Sequence, residues 1–124
     1  VFNFVTSSNE FEKAFARFLD HAEDVAAFAK LPDQFGFCIQ YTDTRANIRN
    51  YFPDFIVRLQ DGSHWIAETK GREDVDVAMK DQAANNWCET ATLLTGVSWS
   101  YIKVLQKEFE DLHPDSFEEL TIAR

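Results

Sequence analysis

YFPDFIVRLQDGSHWIAETKGRED, residues 51–74, holds two apolar-rich runs on either side of Asp61-Gly62. Asp-Gly between such runs is a strong hairpin signal, because glycine accepts the left-handed backbone that a tight turn needs. The segment therefore predicts two antiparallel strands, Tyr51–Leu59 and His64–Lys70. Loop length sets their register, since side chains alternate faces with a period of two. A two-residue loop pairs Asp54 with Thr69 and sends Glu68 to the opposite face. A three-residue loop, Asp61–Ser63, pairs Asp54 with Lys70 and Ile56 with Glu68, which gathers Asp54, Glu68 and Lys70 on one face. The apolar pattern favours the second arrangement. Phe55, Val57 and Leu59 then lie beside Thr69, Ala67 and Trp65 as a core face. The expectation is an odd-length loop or an equivalent bulge.

Working outward, residues 10–30 (EFEKAFARFLDHAEDVAAFAK) read as one helix. Ser7, Ser8 or Asn9 can cap it, and Glu10 and Glu12 suit the positive end of its dipole. Phe11, Phe15, Phe18, Ala22 and Val25 fall at helical spacing as one buried stripe, and Pro32 ends the element. Phe35–Tyr41 has the aromatic and β-branched character of a strand, whereas Thr42–Asn50 is polar and reads as a loop. After Gly71, residues 75–94 form an alanine-rich helix with Val77, Ala84 and Cys88 inward, closed by Gly96. Val97–Gln106 is a last core strand. The tail from Phe109 to SFEELTIAR reads as a short helix or turn packed on the edge. The order αβββαβ predicts an α/β fold, a central mixed four-stranded sheet flanked by helices, in a single domain over residues 1–124.

Composition bounds what such a domain can do. With 124 residues, the chain can bury a core without metal or disulfide staples, and 45% hydrophobic with 27% charged residues is an ordinary globular balance. No apolar run approaches the ~20 residues of a membrane-spanning helix. Cys38 and Cys88 lack a C-x-x-C partner, so reduced buried thiols in a cytoplasmic protein are expected rather than a zinc site. The chain starts at Val1 without an initiator Met and reads as a fragment of a longer protein. Its net charge of −9 works against direct binding to a polyanion. Either the function does not involve nucleic acid, or other domains supply the affinity.

The residues of the hairpin point to metal chemistry. Asp54 and Glu68 are hard oxygen ligands of the kind Mg²⁺ uses, with Mn²⁺ as an alternative, and the backbone carbonyl of Thr69 can add a third oxygen. Lys70 stands two residues beyond Glu68, hence on the same face of the strand. There its ammonium can orient a water and offset charge at a phosphate undergoing attack. Lys80 and Gln82, on the following helix, can reach the metal's waters or a phosphate. Each residue alone has a plainer reading, since E-x-K in a strand is usually a solvated, salt-bridging face. Two acids and a lysine on opposite arms of one hairpin, within this element order, favour the metal site. His21, His64 and His113 form no acid–base set, and Trp87 and Trp99 read as core.

Pro53-Asp54 followed by Glu68-Thr69-Lys70 resembles the motif of the PD-(D/E)xK nucleases, whose core order is also αβββαβ. Around it, SSNEFEKAFARFL, VAAFAKLP, YFPDF after Asn47, ETKGRED and AANNWC resemble the C-terminal nuclease domain of type III restriction enzyme Res subunits, over about residues 7–101. That resemblance implies a restriction-endonuclease-like core with Asp54, Glu68 and Lys70 as catalytic residues. It also implies a further carboxylate from the first helix, for which Glu12 is the choice and Glu10 the second. By the same resemblance a helicase-like motor precedes the nuclease and delivers DNA to it. ATP would act only through that motor, and a methyltransferase (modification) subunit is the expected partner. Two rivals stay open: a nuclease acting on RNA or branched DNA, and a non-catalytic module that keeps the fold for protein interactions.

Overall fold

The computed structural model describes residues 10–32, 36–71 and 77–123, except the Val77 side chain. The cap candidates Ser7, Ser8 and Asn9, together with Phe35, Arg72, Glu73 and Asp74, lie outside the described residues. Ten elements follow in order: α1 (Glu10–His21), β1 (Val25–Lys30), β2 (Ile39–Thr42), β3 (Ile48–Tyr51), β4 (Phe55–Leu59), β5 (His64–Lys70), α2 (Val77–Thr95), β6 (Trp99–Leu105), α3 (Gln106–Leu112) and α4 (Phe117–Ala123). A four-stranded sheet runs β1-β4-β5-β6, and β2-β3 form a separate hairpin. β1, β4 and β5 are antiparallel neighbours, whereas β6 joins β5 in parallel after the crossover through α2. The sheet is therefore mixed, as the sequence predicts.

Side-chain alternation gives the sheet two cores. On one face Phe55, Val57, Ala67, Ile102 and Val104 meet the aromatic stripe of α1 and Phe117 and Leu120 of α4. On the other, Ile66 packs with Ala84 and Cys88 of α2 and with Ile39 and Tyr51 of the hairpin. A strand carrying Ile66 and Ala67, both fully buried, needs such cover on both sides.

Four expectations need correction. The first helix stops at His21, and Val25–Lys30 is a strand. VAAFAK has alanines that suit a helix, but pairing along β4, from Val25 opposite Leu59 to Lys30 opposite Phe55, outweighs that weak preference. Phe11, Phe15, Ala16 and Leu19 form the buried stripe, and Val25 belongs to the sheet. Second, the strand expected at Phe35–Tyr41 is Ile39–Thr42, and the presumed loop Thr42–Asn50 contains β3. Asp43 makes that hairpin possible, because its Oδ1 accepts the Arg45 and Asn47 amides and its Oδ2 takes the Arg49 guanidinium at 2.8 Å. These bonds hold its carboxyl down at a pKa of about 2.

Third, Tyr51 ends β3 rather than opening the arm that carries Asp54, and the arms of that hairpin pair two residues off the expected alignment. Phe55 faces Ala67 and Val57 faces Trp65, and the Leu59 amide donates to the Ser63 carbonyl at 2.9 Å. The odd-length loop is thus Gln60–Gly62, shaped by Asp61 Oδ1 accepting from the Ser63 amide and hydroxyl, with Gly62 at φ 91°. A slip of two leaves every side chain on its expected face. Phe55, Val57 and Leu59 share the first core with Ala67 and Trp65. Fourth, β6 begins at Trp99 and passes at Gln106 straight into α3, and the tail forms α3 and α4.

Asp24, in the turn between α1 and β1, ties distant parts together. Its carboxylate accepts the Phe117 and Glu118 amides at 2.9 Å each, and its carbonyl accepts the Gln60 amide at 2.8 Å. The carboxylate thereby takes free N–H groups at the start of α4, which have no partner within their own helix. Asp24→Ala should lower stability by about 1 kcal/mol in chemical denaturation, whereas Asp24→Asn, which keeps one acceptor, should recover part of that loss.

Candidate active site

Asp54 sits just before β4, and continuing the β4–β5 register places it opposite Glu68. Its Oδ2 accepts the Thr69 amide at 3.1 Å and the Thr69 hydroxyl at 3.0 Å, while its own carbonyl accepts the Leu31 amide. Pro53, with its locked φ, is fully buried immediately before it. Thr69 is buried as well, so Asp54 is held from two sides, by β5 and by the end of β1.

Glu68 is 8% exposed, low for a carboxylate without a full counter-charge. The Tyr51 hydroxyl donates to its Oε1 at 3.1 Å, and Lys80 Nζ stands 3.9 Å from Oε2. Burial pushes the Glu68 carboxyl up to about 8, and the adjacent Asp54 carboxylate, within hydrogen-bonding reach, adds to the rise. Lys80 and the Tyr51 hydroxyl act in the opposite direction. Tyr51 itself is driven far above its ordinary value, first by burial and then by the Glu68 charge.

Two lysines flank the acids. Lys30, from the end of β1, has Nζ at 3.9 Å from Glu12 and 4.0 Å from Asp54, and it lies over the Phe55 ring. Lys80, from the first turns of α2, lies 5.3 Å over the Tyr51 ring. The neighbouring Asp81 is bonded to Lys103 of β6 at 2.8 Å and to the Tyr101 hydroxyl at 2.7 Å, which pins this part of α2 to the sheet. Lys70 closes β5, on the same face as Glu68 and only partly exposed.

The sequence-predicted residues thus fall into two sets. Asp54 joins Thr69 and Glu68, and Lys80 meets Glu68, with Lys70 on the Glu68 face of the strand. Glu12 reaches this group through Lys30, whereas Glu10 is exposed and pairs with Lys13 at 3.4 Å. Gln82 points elsewhere, into a shallow groove with Gln40, Tyr41 and Asn86. Sequence reasoning missed Lys30 and Tyr51. Both were hidden by the misread elements, since Lys30 was assigned to a helix end and Tyr51 to the strand carrying Asp54. Among the described residues, no group of three or more His, Cys, Asp or Glu side chains is gathered tightly enough to hold a metal ion unaided. Two hard carboxylates whose close approach raises a proton affinity nevertheless fit Mg²⁺, which binds through one or two carboxylates and keeps several waters.

The family model described as an endonuclease domain matches residues 1–113, and the chain belongs to that family. No curated protein and no solved structure matches it. The mixed sheet and its flanking helices are consistent with a restriction-endonuclease-like fold. Among the described residues, no helix is long and apolar enough to cross a membrane.

The raised Glu68 carboxyl makes a pH prediction for the metal-free protein. Folded Glu68 keeps its proton up to about 8, whereas the ordinary value is 4.5. Between these values the folded state binds more protons than the unfolded one, so stability is full below the lower value and falls as pH rises towards the upper. In EDTA, urea denaturation should show stability falling as pH rises through that window. Glu68→Gln should flatten the slope. An unchanged slope in that variant would mean another group titrates.

Proposed function

We propose that the chain is the cutting module of a type III restriction-modification enzyme, hydrolysing DNA phosphodiesters with Mg²⁺. The observation that carries this reading is the Asp54–Glu68 pair, half-buried at Asp54 and buried at Glu68, flanked by lysines within an endonuclease-family domain. Asp54, Glu68 and the Thr69 carbonyl are the oxygens that would hold the metal. When bound, it would lower the pKa of a water and polarise the scissile phosphate.

The chain's own residues supply the rest. The Thr69 amide and hydroxyl orient Asp54, and the Tyr51 hydroxyl and Lys80 orient Glu68. Lys70 offers an ammonium to the attacked phosphate and to the water that approaches it. Lys30 and Lys80 offset the charge of the paired acids, so the site tolerates an incoming phosphate. The net charge of −9 is consistent with DNA being delivered by a helicase-like motor of the parent enzyme, alongside a modification subunit, in the cytoplasm.

The test is nicking of supercoiled plasmid by the assembled parent enzyme, with Mg²⁺ or with EDTA, beside single-stranded RNA and branched DNA of matched length. Mg²⁺-dependent cleavage of the plasmid is the expected result. Cleavage restricted to RNA or to branched DNA would move the reading to the nuclease rival. Restriction that continues without Asp54 and Lys70 would favour the interaction module.

A further inference from the structure

We propose that the β2–β3 hairpin is a DNA-engaging ribbon that enters a groove of B-form duplex and presents the backbone to the Asp54–Glu68 centre; the inference rests on the nuclease reading above. The hairpin is short and antiparallel, with Gln40 opposite Asn50 and Thr42 opposite Ile48. Alternation sends Ile39 and Tyr51 inward, where both are buried, and leaves Gln40, Thr42, Ile48 and Asn50 on the outward face. Every one of these outward side chains is exposed, and Ile48 is 74% exposed.

That outward face is neutral and of mixed character: two amides, a hydroxyl and an aliphatic side chain. Amides pair with adenine edges and an aliphatic group meets the thymine methyl, and a two-stranded ribbon fits the width of the major groove. The rim carries one uncompensated positive charge. From residue 40 to residue 50 the ribbon holds Arg45 and Arg49 against Asp43, within a chain of net charge −9. Arg49 is paired with Asp43 at 2.8 Å, so the free charge at the turn, among the described residues, is that of Arg45.

The ribbon is also built to hold its shape and its place. Asp43 fastens the turn through the Arg45 and Asn47 amides, and Ala46 takes a left-handed φ of 65° to close it. Tyr51, the last residue of β3, donates its hydroxyl to Glu68 at 3.1 Å. A duplex seated on the ribbon is thereby registered against the acids. A-form RNA, whose major groove is too narrow to admit such a ribbon, should not bind in this way.

The experiment is fluorescence anisotropy with a short B-form duplex at low salt in Ca²⁺, using the full chain and Arg45→Ala, Ile48→Asp and, as a control on the opposite side of the sheet, Lys107→Ala. Arg45→Ala should weaken binding about fivefold and lower the slope of log affinity against log salt by about 1. Ile48→Asp should weaken it more than about tenfold, with the melting temperature unchanged in both variants. Lys107→Ala should bind like the parent chain. Equal binding by all four proteins, no binding of any duplex, or an equal loss on double-stranded RNA would each overturn the ribbon. Plasmid cleavage by the assembled enzyme separates the two ideas. Cleavage that persists with ribbon-independent binding discards the ribbon and keeps the nuclease. Ribbon-dependent binding without cleavage by any assembled form keeps the ribbon and discards the nuclease.

Discussion

Asp54→Asn should reduce Mg²⁺-dependent cleavage by the parent enzyme about 1000-fold, equivalent to roughly 4 kcal/mol of transition-state stabilisation, while leaving the domain folded. The argument rests on what the substitution keeps. Asparagine offers a carbonyl oxygen to the Thr69 amide and hydroxyl, which now bond to Asp54 Oδ2. The geometry of the β4–β5 junction is therefore retained, and what disappears is a negative charge beside Glu68. Removing that charge also relieves the repulsion that helps to raise the Glu68 carboxyl. The metal-free variant should consequently be as stable as the parent chain near pH 7, or more so, even as activity is lost. Lys70→Met should lose activity to a similar degree with divalent-cation binding largely retained, because the role proposed for it is at the phosphate rather than at the metal. Mn²⁺ titration by electron paramagnetic resonance distinguishes the two. Full cleavage by either variant would remove these residues from the chemistry.

Phe15→Ala should cost about 3–5 kcal/mol in urea denaturation, a large share of the roughly 5–15 kcal/mol that holds an average domain together. Phe15 is fully buried. Its ring meets Phe55 edge-on at 5.1 Å, Phe109 edge-on at 5.8 Å and Phe18 at 5.9 Å, joining α1, β4 and α3. Truncation there opens a cavity among three aromatic rings that belong to different elements and cannot collapse together. Phe15→Leu, which keeps most of the volume, should cost less than half as much. A loss below about 1 kcal/mol for the alanine variant would show that α1 does not seat on the sheet in this way.

Much of this arrangement is legible in the sequence, and the failures share a cause. Residues 55–70 alternate strongly around Asp-Gly, so the inward and outward faces, and with them the company of Asp54, Glu68 and Lys70, follow from periodicity alone. Registry could slip by two without changing any face, and it did so because Asp61 shapes the loop one residue earlier than expected. VAAFAK misled because alanine favours helices locally, while its partner strand lies about thirty residues further on; pairing at that distance leaves no local signature. Thr42–Asn50 looked like a loop because its strands are held by the buried Asp43, a residue type ordinarily read as a turn former. Lys30 and Tyr51 came into view only when those elements were placed correctly.

The tie between Asp24 and the start of α4 has a consequence for biosynthesis. Phe117 and Leu120 complete the first core, and the cap they depend on comes from a residue made more than ninety positions earlier. As the polypeptide leaves the ribosome, α1, β1 and the acids of β4 and β5 emerge well before the helix that covers them. A nascent domain must therefore keep a gap in its aromatic core until translation has passed residue 120. The first core closes only after Asp54 and Glu68 have been made, on a schedule set by α4.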